Sequence, residues 1–155
     1  MGTCSAYGPS GGLARRLNGG EAADLVVVDS KALDELIKQG KVVGGRTDVA
    51  RTGIGIAAEV APKVRLAAGG PNGRVSVLVS SGEAEIGLQQ VSELMSNPEV
   101  EVIGMLPAEL QQMTTYSAGT TTDTREAEAA KALIKALTAP SAAPIYMVKG
   151  LDPAW

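Results

Sequence analysis

The sequence predicts an α/β fold of mostly parallel sheets flanked by helices, and three observations carry the prediction. Short β-rich runs alternate with helical stretches along the 155 residues. The core has to be aliphatic, because the chain holds no Phe and only 3% aromatic residues within a 45% hydrophobic share. Nineteen glycines provide tight turns and close helix–sheet approaches.

Each element follows from local chemistry. Tyr7-Gly8-Pro9-Ser10-Gly11-Gly12 leads into Leu13, Ala14 and Leu17 at helical spacing, with Ser10 placed as N-cap and Asn18-Gly19-Gly20 as the stop. Asp24 to Asp29 is a continuous apolar run between acidic ends, which reads as a strand buried on both faces. Ser30 caps the next helix, Lys31 to Gln39, whose Leu33, Leu36 and Ile37 form one stripe before Gly40. Thr52 to Val60 and Val64 to Ala68 read as strands, and Pro71 suits the first turn of a helix through Ser81 that stops at Gly82. Glu85 to Gln90 is a strand, Val91 to Met95 a helical turn, and Glu99 to Met105 another strand. Gln112 to Thr120 is Thr-rich, alternates weakly and reads as extended. Asp123 caps the clearest helix, Arg125 to Leu137, which Pro140 stops; Ser141 to Val148 is a last, shorter helix despite Pro144.

Composition narrows the function. A net charge of −3, with Arg15-Arg16 the only adjacent basic pair, argues against nucleic acid as a partner. That pair reads as a solvated helix face. Cys4 is alone, so no disulfide forms within the chain. Histidine is absent, which removes the commonest general base and metal ligand. No apolar run has the length of a membrane span, and the N-terminus as written lacks a basic-then-hydrophobic signal. On that ground alone the chain stays where it is made.

The motifs that could carry chemistry mostly fail. Gly53-Ile54-Gly55-Ile56-Ala57-Ala58 formally matches a dinucleotide fingerprint, but the residues before it are polar and the glycines sit inside a strand-like run. Gly69 to Arg74 lacks the lysine and spacing of a phosphate loop. Cys4 and the serines have no histidine to activate them, and Glu83 and Glu85 read as solvated. No catalytic residue, metal site or cofactor is expected. What remains are polar helix starts that follow strands. Ser10, Gly11 and Gly12 put a hydroxyl and free amides at a helix N-terminus, where the macrodipole favours an anion. Gly70-Pro71-Asn72-Gly73 does the same, and Gln89, Gln90 and Ser92 lie at the C-terminal end of a strand. Ser10 and Asn72 equally suit plain helix caps, and that reading stays open.

The order of these motifs resembles the molybdate-type periplasmic solute-binding proteins of ABC importers. YGPSGGLARRLNGGEAADLVVVDSKALDELIKQGKVV is similar to their first lobe: a Ser-Gly helix start, a GxxADV strand and a LxxLxxxGxV helix. SSGEAEIGLQQVSEL resembles a second-lobe segment, and LPAELQQMTTYSAGTTTDTREAEAAKALIKALTAPSAA resembles the returning strand and C-terminal helix. The resemblance implies a shortened type II periplasmic-binding-protein fold. Lobe one would hold residues 1–51 with 119–155, and lobe two 52–118. It implies ligand contacts from Ser10 and Gly11 in one lobe and from Asn72, Gly73, Gln90 and Ser92 in the other.

The expected function is therefore non-catalytic capture of a small anionic or polar solute, molybdate-like oxyanions first. The expected partners are the membrane subunits of an ABC importer. The resemblance implies a periplasmic location, with the cytoplasm as the alternative for the chain as written. A rearranged domain that has lost its solute and associates with itself or another protein is the second reading. Set against the resemblance, each lobe lacks a strand–helix unit, which leaves apolar strands uncovered. A homodimer is the expected remedy.

Overall fold

A computed structural model describes residues 5–58 and 74–155. The strand expected at Val64 to Ala68 and the helix start at Pro71 lie outside the described residues. The chain divides into two units. One holds residues 1–50, 115–143 and 153–155; the other holds residues 51–114 and 144–152.

In the first unit, helix α1 (Ser10–Asn18) precedes strand β1 (Leu25–Asp29), helix α2 (Ser30–Lys38) and strand β2 (Val42–Thr52), whose last two residues lie in the other unit. Strand β6 (Thr114–Thr121) and helix α5 (Ala127–Leu137) follow late in the chain. The Asp29 carboxylate caps α2 by accepting the Ala32 N–H at 3.0 Å, so the cap is Asp29 and not Ser30. A carboxylate there also suits the helix dipole. Gly40, at φ +69, closes the helix as expected, with the Lys41 N–H donating to the Leu36 carbonyl at 2.9 Å. Leu33 and Leu36 are fully buried and pack with Val26, Val28 and Val42, flanked by Leu13 and Leu17 of α1. Each such burial contributes about 1.5–3 kcal/mol.

Three elements of this unit differ from expectation. Strand β1 is not buried on both faces: Val26 and Val28 point inward while Val27 is exposed. Strand β2 runs through Gly44 to Asp48, a stretch whose polarity and glycines hide it in the sequence. Its outward side is satisfied by ion pairs, since Arg46 bridges Asp34 at 2.8 Å and Asp48 at 3.1 Å. Helix α5 starts later than expected and has no side-chain cap; Asp123 does not serve as one. The Asp24 carboxylate instead accepts from the Arg125 N–H and the Thr124 hydroxyl, each at 2.9 Å.

In the second unit, strand β3 (Ile54–Ala58), helix α3 (Val75–Ser80), strand β4 (Ile86–Gln90), helix α4 (Val91–Leu94) and strand β5 (Glu101–Met105) follow one another. After a short 3-10 turn of the first unit, Pro140–Ala142, helix α6 (Ala143–Met147) lies almost wholly in the second, and strand β7 (Asp152–Pro153) follows where the chain passes back to the first. Gly87 is glycine for a packing reason: a Cβ there would lie 2.2 Å from Val75 Cγ1 and 2.9 Å from Val79 Cγ2 of α3. Gly55 likewise meets Val91 of α4, with only 2.8 Å available. It is in register with Gln89 and Met105, inside a three-stranded sheet, which is no place for a dinucleotide loop.

The strands form one sheet in the order β1-β6-β2-β7 and another in the order β4-β3-β5. Parallel sheets were expected, and this is corrected: β1 pairs antiparallel with β6, and β3 pairs antiparallel with both β4 and β5. The alternation of strand and helix along a sequence locates elements but not partners. Here β1 takes as its neighbour a strand about ninety residues downstream, with Val27 opposite Ala118, rather than the strand that follows α2. An antiparallel strand also tolerates one solvated face, which explains the exposed Val27.

Candidate ligand-binding site

The first unit places Ser10 and Gly11 together at the start of α1. Pro9 is the N-cap and gives no side-chain cap, so Ser10 is the first helical residue and not the cap expected of it. The Pro9 carbonyl accepts the N–H groups of Gly12 and Leu13 at 2.8 and 3.0 Å. The Gly12 amide is thus engaged, whereas those of Ser10 and Gly11 have no acceptor among the described residues. The Ser10 hydroxyl oxygen accepts the Asp29 N–H at 2.9 Å. This bond ties the start of α1 to the end of β1 and the cap of α2. It fills one lone pair of the oxygen and leaves its proton free to be donated. Half-buried Ser10 therefore offers an O–H beside two helix-end N–H groups, a set dominated by donors that suits an acceptor-rich ligand. The Asp29 carboxylate already occupies the neighbouring helix start, α2.

The second unit brings Gln90 and Ser92 to the β4–α4 junction, one on each side of Val91. The Gln90 amide donates to Thr114 Oγ1 at 2.9 Å. The N–H groups that open α4 are mostly engaged: Val91 donates to the Gly53 carbonyl at 3.0 Å and Ser92 to Thr52 Oγ1 at 3.4 Å. The Thr52 hydroxyl in turn donates to the Gly150 carbonyl at 2.9 Å. Gly150, at φ +70, sits so close that a Cβ would come within 2.6 Å of Val91 Cγ1 and 3.2 Å of the Ser92 nitrogen. The junction therefore offers the Gln90 and Ser92 side chains more than helix-end amides. Asn72 and Gly73 lie outside the described residues. Just beyond them, the buried Ser76 hydroxyl has no hydrogen-bond partner among the described residues.

Sequence reasoning missed the supporting residues: Asp29, Thr52, Thr114 and Gln111. The Gln111 side chain accepts from the Ile54 N–H at 2.6 Å and donates to the Ile54 carbonyl at 3.0 Å, clamping the start of β3. Only Thr52 and Thr114 left a signal, as polar residues at strand ends. The Arg15-Arg16 pair matches its solvated reading, with exposed Arg16 bonded to Glu21. Among the described residues no group of three or more His, Cys, Asp or Glu side chains could hold a metal ion, and no helix is long and apolar enough to cross a membrane.

Residues 5–63 and 54–152 match the family described as bacterial extracellular solute-binding protein, and the chain belongs to that family. Membership makes it a solute-binding protein of a family described as extracellular, on the periplasmic or extracellular side. The periplasmic molybdate-binding protein of Azotobacter vinelandii superposes with a TM-score of 0.72 at 17% identity, covering 97% of this chain and 87% of that one. The sulfate-binding protein of Mycobacterium tuberculosis superposes with a TM-score of 0.70 at 12% identity, over 96% and 75% of the two chains. These likenesses establish the type II periplasmic-binding-protein-like fold. An aconitate isomerase from a Pseudomonas species is 38% identical over 79 residues. That match spans 51% of this chain and 30% of the relative.

Proposed function

We propose that the chain captures a small anionic solute without transforming it and presents it to the membrane subunits of an ABC importer. The observation that carries this reading is Ser10, whose hydroxyl accepts the Asp29 N–H and keeps its own proton for a ligand, beside the Ser10 and Gly11 amides. Gln90 and Ser92, at the β4–α4 junction of the second unit, are a separate pair of candidate polar groups. In support, molybdate and sulfate are named for two of the structural neighbours and aconitate for the sequence relative, and these three are anions. A molybdate-like oxyanion is the first candidate, and a small carboxylate is the next. A second reading, association with another copy of the chain, is favoured by the exposed Ile86, Leu88 and Ile103 of the second unit.

The test is a thermal-shift and calorimetric screen with molybdate, tungstate, sulfate, phosphate and aconitate. At least one anion should raise the melting temperature, because a ligand at 100 times its Kd stabilises the folded state by about 2.7 kcal/mol. Ser10→Ala should weaken that ligand roughly tenfold or more, the worth of one hydrogen bond to a charged group. If no anion shifts the melt, or if Ser10→Ala lowers stability alone and leaves affinity intact, Ser10 is a structural tie and the reading fails. Turnover of aconitate would also overturn it.

A further inference from the structure

Every methionine among the described residues is exposed and lies in the second unit: Met95, Met105, Met113 and Met147. Met95, the C-cap of α4, differs in what its sulfur touches. A Cβ on Gly150 would lie 2.8 Å from Met95 Sδ, so the sulfur rests against the bare Cα, beside Val91 one helical turn earlier. Met105 meets Gly53 through its terminal methyl instead. Gly150 belongs to the turn that closes α6. Its N–H donates to the Met147 carbonyl and the Leu151 N–H to the Tyr146 carbonyl, each at 3.1 Å, with Gly150 at φ +70. From there the bonds run on. The Gly150 carbonyl accepts the Thr52 hydroxyl at 2.9 Å, and buried Thr52 Oγ1 accepts the Ser92 N–H at 3.4 Å. A single thioether contact thus covers a chain of bonds joining the end of α6, the end of β2 and the start of α4.

We propose that Met95 is an oxidation-sensitive latch between α4 and the turn that follows α6. A hydroperoxide reaches the side chain, which is 46% exposed. A sulfur lone pair attacks one peroxide oxygen: the S–O bond forms as the O–O bond breaks. The sulfur gives up two electrons, and the other oxygen leaves, with the proton transferred to it, as water or an alcohol. A flexible apolar thioether becomes a polar, chiral sulfoxide. Its oxygen finds no donor on Gly150 Cα or Val91 Cγ1, and the nearby Ser92 N–H is already given to Thr52. An acceptor buried without a partner is costly, so the oxidised side chain turns out to water. The Gly150 turn then loses its cover, and the bonds from Gly150 to Thr52 and from Thr52 to Ser92 loosen with it. The β4–α4 junction thereby responds to oxidant. This holds whether or not Gln90 and Ser92 touch a solute.

The test treats the full chain with hydrogen peroxide and follows it by peptide mass spectrometry, thermal melting and amide hydrogen exchange. Oxidised wild type should carry an added oxygen at Met95 and melt at a lower temperature. Its Ser92, Gly150 and Leu151 amides should exchange about tenfold faster, the mark of an easier local opening. Met95→Leu conserves volume and should fold as wild type does. After the same treatment it should keep its melting temperature and its slow exchange, although Met105, Met113 and Met147 are oxidised as before. Met105→Leu should give no such protection. Methionine sulfoxide reductase with a thiol reductant should return oxidised wild type to its original melt. The proposal is overturned by a Met95 that stays unoxidised, or by an oxidised Met95→Leu that loosens as much as wild type. Protection by Met105→Leu equal to that by Met95→Leu overturns it too.

Discussion

The two units solve the same problem to different degrees. In the first, β1 lies under α2 and α1, and Leu33 and Leu36 are shut off from solvent completely. Its returning strand β6 is packed so closely that a Cβ on Gly119 would lie 2.6 Å from Val42 Cγ1. In the second, α3 and α4 are short helices that reach only one side of the sheet, and the other side shows isoleucine and leucine to water. A sheet needs an apolar layer against each apolar face. The first unit finds its layer within the chain, while the second holds Val79 and Leu94 inside and leaves Ile86, Leu88, Ile103 and Met105 exposed. The strand sequences hardly differ in character: LVVVD and IGLQQ both read as strands, yet one inner set is covered by a nine-residue amphipathic helix and one outer set by nothing described.

The largest test of this contrast is Leu33→Ala, which should cost about 2–5 kcal/mol in urea denaturation because the side chain is wholly enclosed. A loss under 1 kcal/mol would mean that the first unit is as loosely covered as the second.

Next come two glycines on opposite faces of one sheet. Gly87→Ala drives a methyl into Val75 and Val79 and should destabilise by about 1–3 kcal/mol. Gly104→Ala meets nothing within 4 Å and should stabilise, by roughly 0.5–1 kcal/mol, since glycine is a poor strand residue. Equal effects of the two, read from melting curves, would erase the distinction between inner and outer face.

The smallest effect expected is at Asp24, in the first unit. The Arg125 N–H, with the Thr124 hydroxyl second, holds its carboxyl below the ordinary aspartate range. A lowered folded-state pKa stabilises above the unfolded-state value and is lost as pH falls through the folded one. Wild type should therefore exceed Asp24→Asn in stability at neutral pH, by a gap that closes on acidification below the usual carboxylate range. A gap independent of pH would show that the charge of Asp24 does not anchor the start of α5.

Much of this was legible in the sequence, and the failures share a cause. Helix α2 was readable because Leu33, Leu36 and Ile37 repeat at helical spacing before a glycine that adopts positive φ. The β4–α4 junction was readable because polar Gln90 follows an alternating strand. Strand β2 was not, because its polar stretch takes its place through pairing with β6 and β7, with Arg46 meeting Asp34 on another element. At the candidate site, the helix start at Ser10 was visible. What the hydroxyl does was not, because its partner Asp29 is nineteen residues away and contributes a backbone group that no residue code records.

By itself, then, the sequence determined where most strands and helices lie, that the core is aliphatic, and that the chemistry is that of hydroxyls, amides and helix ends without histidine. These are local properties, set by side-chain spacing and residue type. The tertiary structure decided that the sheets are antiparallel, that Asp29 rather than Ser30 caps α2, that Ser10 keeps a proton to donate, and that Ile86, Leu88 and Ile103 stay exposed. Each of those depends on which distant segment arrives beside a given residue. A strand's own pattern says which residues share a face, but the direction of its neighbour and the presence of a layer above it come from other parts of the chain.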